Sequence, residues 1–350
     1  MVTPIANTEL EARIRQRLDS LTKPPGSLGR LEDLALQVGL VQGTDIPVVG
    51  RKAMLLFCAD HGIVEEGVSP YPREVTRQMV QNFKSGGAAI TVLCRQYGIA
   101  PVIADVGVGR PTRNFTRAPA MLRVQAEQAI ETGSAHAAQG DLLGAGEMGI
   151  GNSTSAAALL CAFTGIDPRE AAGRGTGLDD AGVARKAEVI ARALALHRPD
   201  PRDPMGVLAA LGGFEIAAIV GLILGAAQRR SLVVLDGFIS CSAALVVRAI
   251  EPAALDYVVY SHRSAERGHR KMLEALRARP LLDLDMRLGE GTGAAIGISL
   301  VESAVHLYRE MATFASAGVS GSDRPHAGPT EARPTASEAQ PPASRSGAGR

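Results

Sequence analysis

Four short, mostly apolar runs, each closed by polar residues or glycine, constrain this chain more than any other feature. Residues 53–59 end at Asp60-His61-Gly62, and residues 100–106 contain Asp105 and run into Gly107 and Gly109. Residues 231–235 end at Asp236-Gly237, and residues 255–260 end at Ser261-His262. A short run apolar on both alternating faces suits a strand buried on both sides of its sheet, which requires helices above and below. Helical spacing of apolar residues occupies the intervals: 8–21, 31–41, 73–97 with a break at Gly86-Gly87, 184–196, 207–227, 239–250, 264–277 and 292–311. Thr8 and Glu11 are spaced as a capping box for the first of these. Strands alternating with helices predict an α/β fold with a mostly parallel sheet flanked by helices. Ligands of such sheets bind beyond the carboxyl ends of the strands, where the polar residues of this chain collect.

Composition narrows the function classes. Hydrophobic residues make up 46% of 350 residues, enough for a substantial core. A formal net charge of +1 gives no electrostatic footprint for nucleic acid or an anionic membrane. Aromatic residues are 3% and tryptophan is absent, which removes the usual stacking platforms for single strands. Cys58, Cys94, Cys161 and Cys241 are far apart and form no Cys-x-x-Cys pair, so buried free thiols in a reducing cytoplasm are expected, with no metal site. Residues 1–9 lack the cationic and apolar regions of a secretory signal. Residues 207–227 are long and apolar but contain Glu215 and four glycines, and are read as a buried helix, with no membrane span. From 315 onward Gly, Ser, Pro and Ala dominate, and a disordered tail is expected at 315–350.

Three glycine-rich segments carry the chemistry. Gly146-Glu147-Met148-Gly149-Ile150-Gly151-Asn152-Ser153-Thr154-Ser155 precedes a helical run. Small residues before a helix make an anion site, or an ordinary N-cap at Asn152 or Ser153. Gly173-Arg174-Gly175-Thr176-Gly177 is a second loop, followed by Asp179 and Asp180 and then by Lys186 in the next helix. It lacks the Gly-Lys-Ser/Thr of a Walker loop. In Arg287-Leu288-Gly289-Glu290-Gly291-Thr292-Gly293 a carboxylate stands between glycines at a helix start. It either meets a ligand or complements the helix dipole. The histidines show no metal spacing; His262 and His269 are read as structural, and adjacent Asp60 and His61 are expected to face different partners.

Together these segments resemble the nicotinate-nucleotide–dimethylbenzimidazole phosphoribosyltransferase family. The resemblance is carried, in order over residues 8–314, by residues 21–29 (LTKPPGSLG), 59–62 (ADHG), 67–72 (GVSPYP) with 75–79 (VTRQM), the Glu147 loop, the Gly175 loop, 235–237 (LDG), Ser261-His262 with Gly268-His269, and the Glu290 loop. It implies Glu290 as general base and Glu147 as a second acid beside the reacting centre. It places Asn152, Gly175, Thr176, Gly177, Lys186, Asp236, Gly237, Ser264 and Gly291 around the nucleotide, and Tyr71, Gln78, Met148 and Leu288 near the acceptor base. Pro70 departs from the small residue common there, and Ser153-Thr154 from a Thr-Thr pair.

The activity implied is transfer of the phosphoribosyl group of nicotinate mononucleotide to 5,6-dimethylbenzimidazole in cobalamin lower-ligand assembly, by a cytoplasmic homodimer without cofactor or metal. The nicotinate leaves as a neutral ring nitrogen, one displacement converts the β-linked donor to an α-product, and a carboxylate takes the acceptor's proton. Another aromatic acceptor such as a purine or phenol, or a non-catalytic nucleotide-binding module, remains open on the residues alone. The expected organisation is a helical cap segment at 1–45, an α/β domain at 46–314 whose last helix joins the cap, and the tail.

Overall fold

The apolar runs form strands, and the computed structural model describes residues 2–320. β1 (Lys52–Ala59), β2 (Ala100–Gly107), β3 (Leu142–Met148), β4 (Leu232–Leu235) and β5 (Val258–Tyr260) make one sheet in the order β2-β1-β3-β4-β5. Every pairing is parallel, so all five carboxyl ends lie along one edge. Register sets Phe57 against Glu147, and Leu235 against Ala145 and Tyr260. The strand order reverses between β1 and β3, where an open parallel sheet leaves its crevice. β1 beyond Lys52 and all of β4 are buried, as continuous apolar strands should be.

β3, at the centre, is a strand the apolar pattern does not announce. Its middle is Gly144-Ala145-Gly146, and glycine in a strand is a poor strand signal. The glycines are there because neighbours come close: a Cβ on Gly144 would fall 2.4 Å from Met54 Cε, and one on Gly146 would fall 2.4 Å from the carbonyl oxygen of Glu290. Helix Arg123–His136 is likewise unannounced, since its buried face is small (Ala126, Ala129, Gly133). It lies backbone to backbone on helix Phe214–Gln228, where a Cβ on Gly133 would overlap the carbonyl of Ala218.

Other boundaries move. The expected helix at 207–227 is two, Pro204–Leu211 and Phe214–Gln228, broken at Gly212-Gly213. Residues 252–257 form a 3-10 helix, leaving only Val258–Tyr260 to β5. The first helix, Thr8–Ser20, is capped by Asn7, whose side chain accepts from the N–H of Leu10; Thr8 lies inside it. All four cysteines are free and buried. Among the described residues no helix is long and apolar enough to cross a membrane.

Leu10, Ile14 and Leu18 of the first helix are buried, with Ile14 reaching Gly39 of helix Arg30–Gln42. The chain's far end closes on them. Arg17 donates to the carbonyl of Tyr308 in helix Thr292–Glu310, Tyr308 donates its hydroxyl proton to the carbonyl of Asp45, and Leu21 bridges Thr313. A last helical turn, Phe314–Ala317, continues past the expected start of the tail; residues 321–350 of that tail lie outside the described residues.

Candidate active site

A cavity of about 650 Å³ opens at the carboxyl edge of the sheet. β3 delivers Glu147 to its floor, 5% exposed. The Asn152 side-chain amide donates to Glu147 Oε2. Glu147 Oε1 lies 2.7 Å from where a Cβ on Gly289 would stand, so the neighbouring loop must be glycine there. Burial, with the charges of Asp236 and Glu215 behind it, pushes the Glu147 carboxyl up to about 8, against the pull of Asn152.

β4 delivers Asp236, which organises the facing loop. Its Oδ2 accepts from the N–H of Gly291 at 3.0 Å, and its Oδ1 from Gly293 at 2.8 Å and Ala294 at 3.3 Å. The Asp236 carboxylate thereby satisfies donors at the start of helix Thr292–Glu310 from another strand. Burial pushes its pKa up, while His262 and these three N–H groups pull it down.

Gly289, Glu290 and Gly291 all have positive φ, of 83°, 63° and 94°. Glutamate in the left-handed region is strained, and strain of this kind persists where the surroundings impose it. Here Asp236 fixes Gly291, and β3 backs the Glu290 carbonyl at Gly146. The Glu290 side chain lines the cavity, 7% exposed, and its Oε2 has no hydrogen-bond partner. Burial raises its pKa; the nearby N–H of Ile90 opposes this and the Asp236 charge adds to it.

The opposite wall is cationic. Lys186, 1% exposed, donates from Nζ to Ser153 Oγ and to the carbonyl of Gly173, each at 3.1 Å. Burial lowers its pKa to about 8, opposed by the charge of Glu266. Helix Asn152–Thr164 begins at Gly151 with no side-chain cap. Asn152 serves Glu147 and Ser153 serves Lys186, so the anion-site reading of this segment gains over the N-cap reading. The rim is apolar: Tyr71 (50% exposed), Val75, Met79, Met148 and Leu288 (59% exposed). A hydrogen bond between the hydroxyls of Ser69 and Thr176, 3.1 Å, ties the rim to the second glycine loop. A flat apolar slot, a lysine beside an uncapped helix start and buried carboxyls are together suited to hold an aromatic ring and an anion and to accept a proton.

The family model described as Phosphoribosyltransferase matches residues 3–319. The chain is 50% identical over 326 residues to the nicotinate-nucleotide–dimethylbenzimidazole phosphoribosyltransferase of Chloroflexus aggregans, covering 87% of this chain and 92% of that one. It is 50% identical over 339 residues to the protein of that name from Cupriavidus necator, covering 91% and 97%. The crystal structure of CobT from Thermus thermophilus superposes with a TM-score of 0.85 at 44% identity, over 89% of this chain and 99% of that one. The chain belongs to the nicotinate-nucleotide–dimethylbenzimidazole phosphoribosyltransferase family.

Of the residues to which that family resemblance pointed, Glu147, Glu290, Asn152, Gly175, Thr176, Tyr71, Met148 and Leu288 line the main cavity. Asp236, Gly237 and Ser264 line a small recess adjoining it, with His262. Lys186 reaches the cavity wall through Ser153. Gly177 and Gly291 belong to the loops without lining the cavity, and Gly291 is occupied by Asp236. Gln78 is exposed on helix Glu74–Lys84, whose cavity-facing residues are Val75 and Met79. Two charged residues went unread in the sequence: Glu266 and Arg287 line both the cavity and the recess. Arg287 stood beside the Glu290 loop, a usable signal; Glu266 had none, because its neighbour Gly173 is distant in sequence. His61 and Asp60 do face apart, His61 to Glu215 and Asp60 to the N–H of Gly109.

Proposed function

We propose that this phosphoribosyltransferase moves the phosphoribosyl group of nicotinate mononucleotide onto 5,6-dimethylbenzimidazole, giving alpha-ribazole 5'-phosphate and nicotinate, for the lower ligand of cobalamin. The names of its relatives support the reaction. The observation that carries it is Glu290: a strained, buried carboxyl with one unpartnered oxygen on the wall of an aromatic-sized cavity. Lys186 and the start of helix Asn152–Thr164 take the donor phosphate. The acceptor ring lies between Tyr71, Met148 and Leu288. One imidazole nitrogen attacks the anomeric carbon as the bond to the nicotinate nitrogen breaks, and Glu290 accepts the proton from the other nitrogen. Inversion in one displacement delivers the α-product. Glu147 is the counter-charge: a pyridinium donor arriving beside it favours its ionised form and steadies positive charge at the sugar. We further take the working enzyme to be a cytoplasmic homodimer, consistent with the exposed apolar rim.

The test mixes the two substrates with the purified chain and follows free nicotinate and alpha-ribazole 5'-phosphate. Donor binding without nicotinate release would instead make it a nucleotide-binding module. Competition among dimethylbenzimidazole, a purine and a phenol ranks acceptors, a necessary arm because Pro70 borders the base-binding residues. Sedimentation reads the dimer.

A further inference from the structure

His61 and Glu215 are completely buried, ionisable, and unused in the chemistry above. His61 follows β1, and its Nε2 lies 2.6 Å from Glu215 Oε1 in the first turn of helix Phe214–Gln228. Its Nδ1 faces Ser155 Oγ at 3.3 Å in the first turn of helix Asn152–Thr164, and Ser155 also reaches the carbonyl of Gly212. Among the described residues Glu215 Oε2 has no partner, and the ring is the carboxyl's sole hydrogen-bond partner.

His61 forms part of the surface on which the 149–151 turn rests, together with the Ala59 carbonyl, Ile63 and Val64. A Cβ on Gly149 would stand 3.2 Å from ring atoms Cδ2 and Nε2, one on Gly151 3.4 Å from His61 Cβ, and one on Gly213 2.3 Å from ring Cε1. That turn separates Glu147 from Asn152, the pair joined by a hydrogen bond on the cavity floor. Stability alone does not explain an ionisable pair here, because well-packed apolar residues of similar volume usually serve as well.

We propose that His61 and Glu215 are positioning residues for Glu147. The ring fixes the turn so that the Asn152 amide meets Glu147, and the Glu215 carboxyl sets the field in which Glu147 ionises. This rests on the transferase reading. The titratable and charged groups around Glu147 are Asp236 at the end of β4, His262 beyond β5, Glu266 before the helix that begins at Arg267, Glu290 and Arg287 in and beside the facing loop, and Glu215 on helix Phe214–Gln228. Asp236, Glu215 and Glu290 all push its carboxyl up, so removing the Glu215 charge lets Glu147 ionise at lower pH.

The experiment is a double-mutant cycle of Glu147→Gln and Glu215→Gln, read as kcat, donor KM and the pH profile of kcat/KM. Expected for Glu215→Gln are a retained thermal transition, donor KM within about twofold and kcat down about tenfold, within the range by which contacting residues couple. The profile limb that Glu147→Gln abolishes should move to lower pH. In the double variant the Glu215→Gln loss should nearly vanish. Losses that multiply, or a limb that stays put, would overturn the proposal and leave the pair as scaffold. Should Glu215→Gln fail to fold, Ser155→Ala removes the Nδ1 partner together with the bond to the Gly212 carbonyl and enters the same cycle: coupling to Glu147→Gln supports the proposal, additivity defeats it. An inactive wild-type chain would sink the transferase reading separately. The pair is then judged by NMR titration of the Glu147 carboxyl with and without Glu215→Gln, where an unmoved titration rejects it.

Discussion

At the base of the site Glu147 and Glu290 of the cavity and Asp236 of the adjoining recess are each less than one-tenth exposed, whereas at the rim Tyr71 and Leu288 are half exposed or more. The floor hangs from strand ends: Glu147 extends β3, Asp236 follows β4, and Asp236 holds the Glu290 loop by three backbone hydrogen bonds. Tyr71 and Leu288 of the rim stand on loops, and a hydrogen bond between Ser69 and Thr176 joins the rim to the second glycine loop. Chemistry that needs a carboxyl held in one direction sits on rigid, desolvated ground, and recognition of a flat ring sits where side chains still meet water. The contrast predicts that floor substitutions act on turnover and rim substitutions on acceptor affinity.

The largest effect should come from Glu290→Gln, which keeps shape but cannot take the acceptor's proton: kcat falls about 10²–10⁴-fold with donor affinity unchanged. Near-normal turnover would reduce Glu290 to a complement of the helix dipole, removing the floor's claim to chemistry. Next, Lys186→Ala should raise donor KM by about 10–100-fold with a smaller change in kcat, the size of a lost charge-assisted hydrogen bond to phosphate. A normal donor KM would take Lys186 out of the site. At the rim, Leu288→Ala should raise acceptor KM about 3–10-fold and leave kcat alone; a kcat loss larger than the KM change would erase the distinction between rim and floor.

The smallest effect is thermodynamic. The Glu147 carboxyl is raised from 4.5 to about 8, so the folded chain holds a proton there that the unfolded chain has released. Its favourable contribution is complete below about pH 4.5 and is lost as pH rises toward 8. Glu147→Gln should therefore raise the thermal midpoint at pH 8.5 by roughly 2–6 °C and change it little at pH 5. An equal change at both pH values would mean that Glu147 does not titrate in that window.

The parallel sheet was legible because β1 and β4, buried on both faces, leave an apolar signature, and the acidic loops because glycines flank them; the outer strand β2 departs from that rule, with Ala100, Pro101 and Asp105 exposed. The same rule hid β3: Gly144 and Gly146 erase the signature where the Glu290 loop and Met54 press closest. Asn7 lost the cap to Thr8 in the sequence because the two are adjacent and chemically alike, and only the hydrogen bond to Leu10 separates them. The Gly212-Gly213 pair was visible in the sequence as part of one helix, whereas the ring that requires glycine at 213, His61, lies far away in the chain. Of the site, glycine-flanked acids stood out locally, whereas Glu266, the Ser153–Lys186 contact and the His61–Glu215 pair are products of folding between distant segments. Gln78, to which the family resemblance pointed, is exposed one step round helix Glu74–Lys84 from the cavity-lining Met79.

The closure of the first helix onto the last sets an order of events during synthesis. Residues 8–20 emerge well before their partners, and Arg17 and Leu21 find Tyr308 and Thr313 only after some 291 further residues have been made. At about 5–20 residues per second the ribosome needs roughly 15–60 s to cover that interval. Until then the apolar face of Leu10, Ile14 and Leu18 meets helix Arg30–Gln42, through Ile14 and Gly39, without its closing contacts from the last helix. The loop carrying Glu290 is also completed in the same final stretch, so a nascent chain that stops early carries a sheet without its base, and its first helix marks it as unfinished.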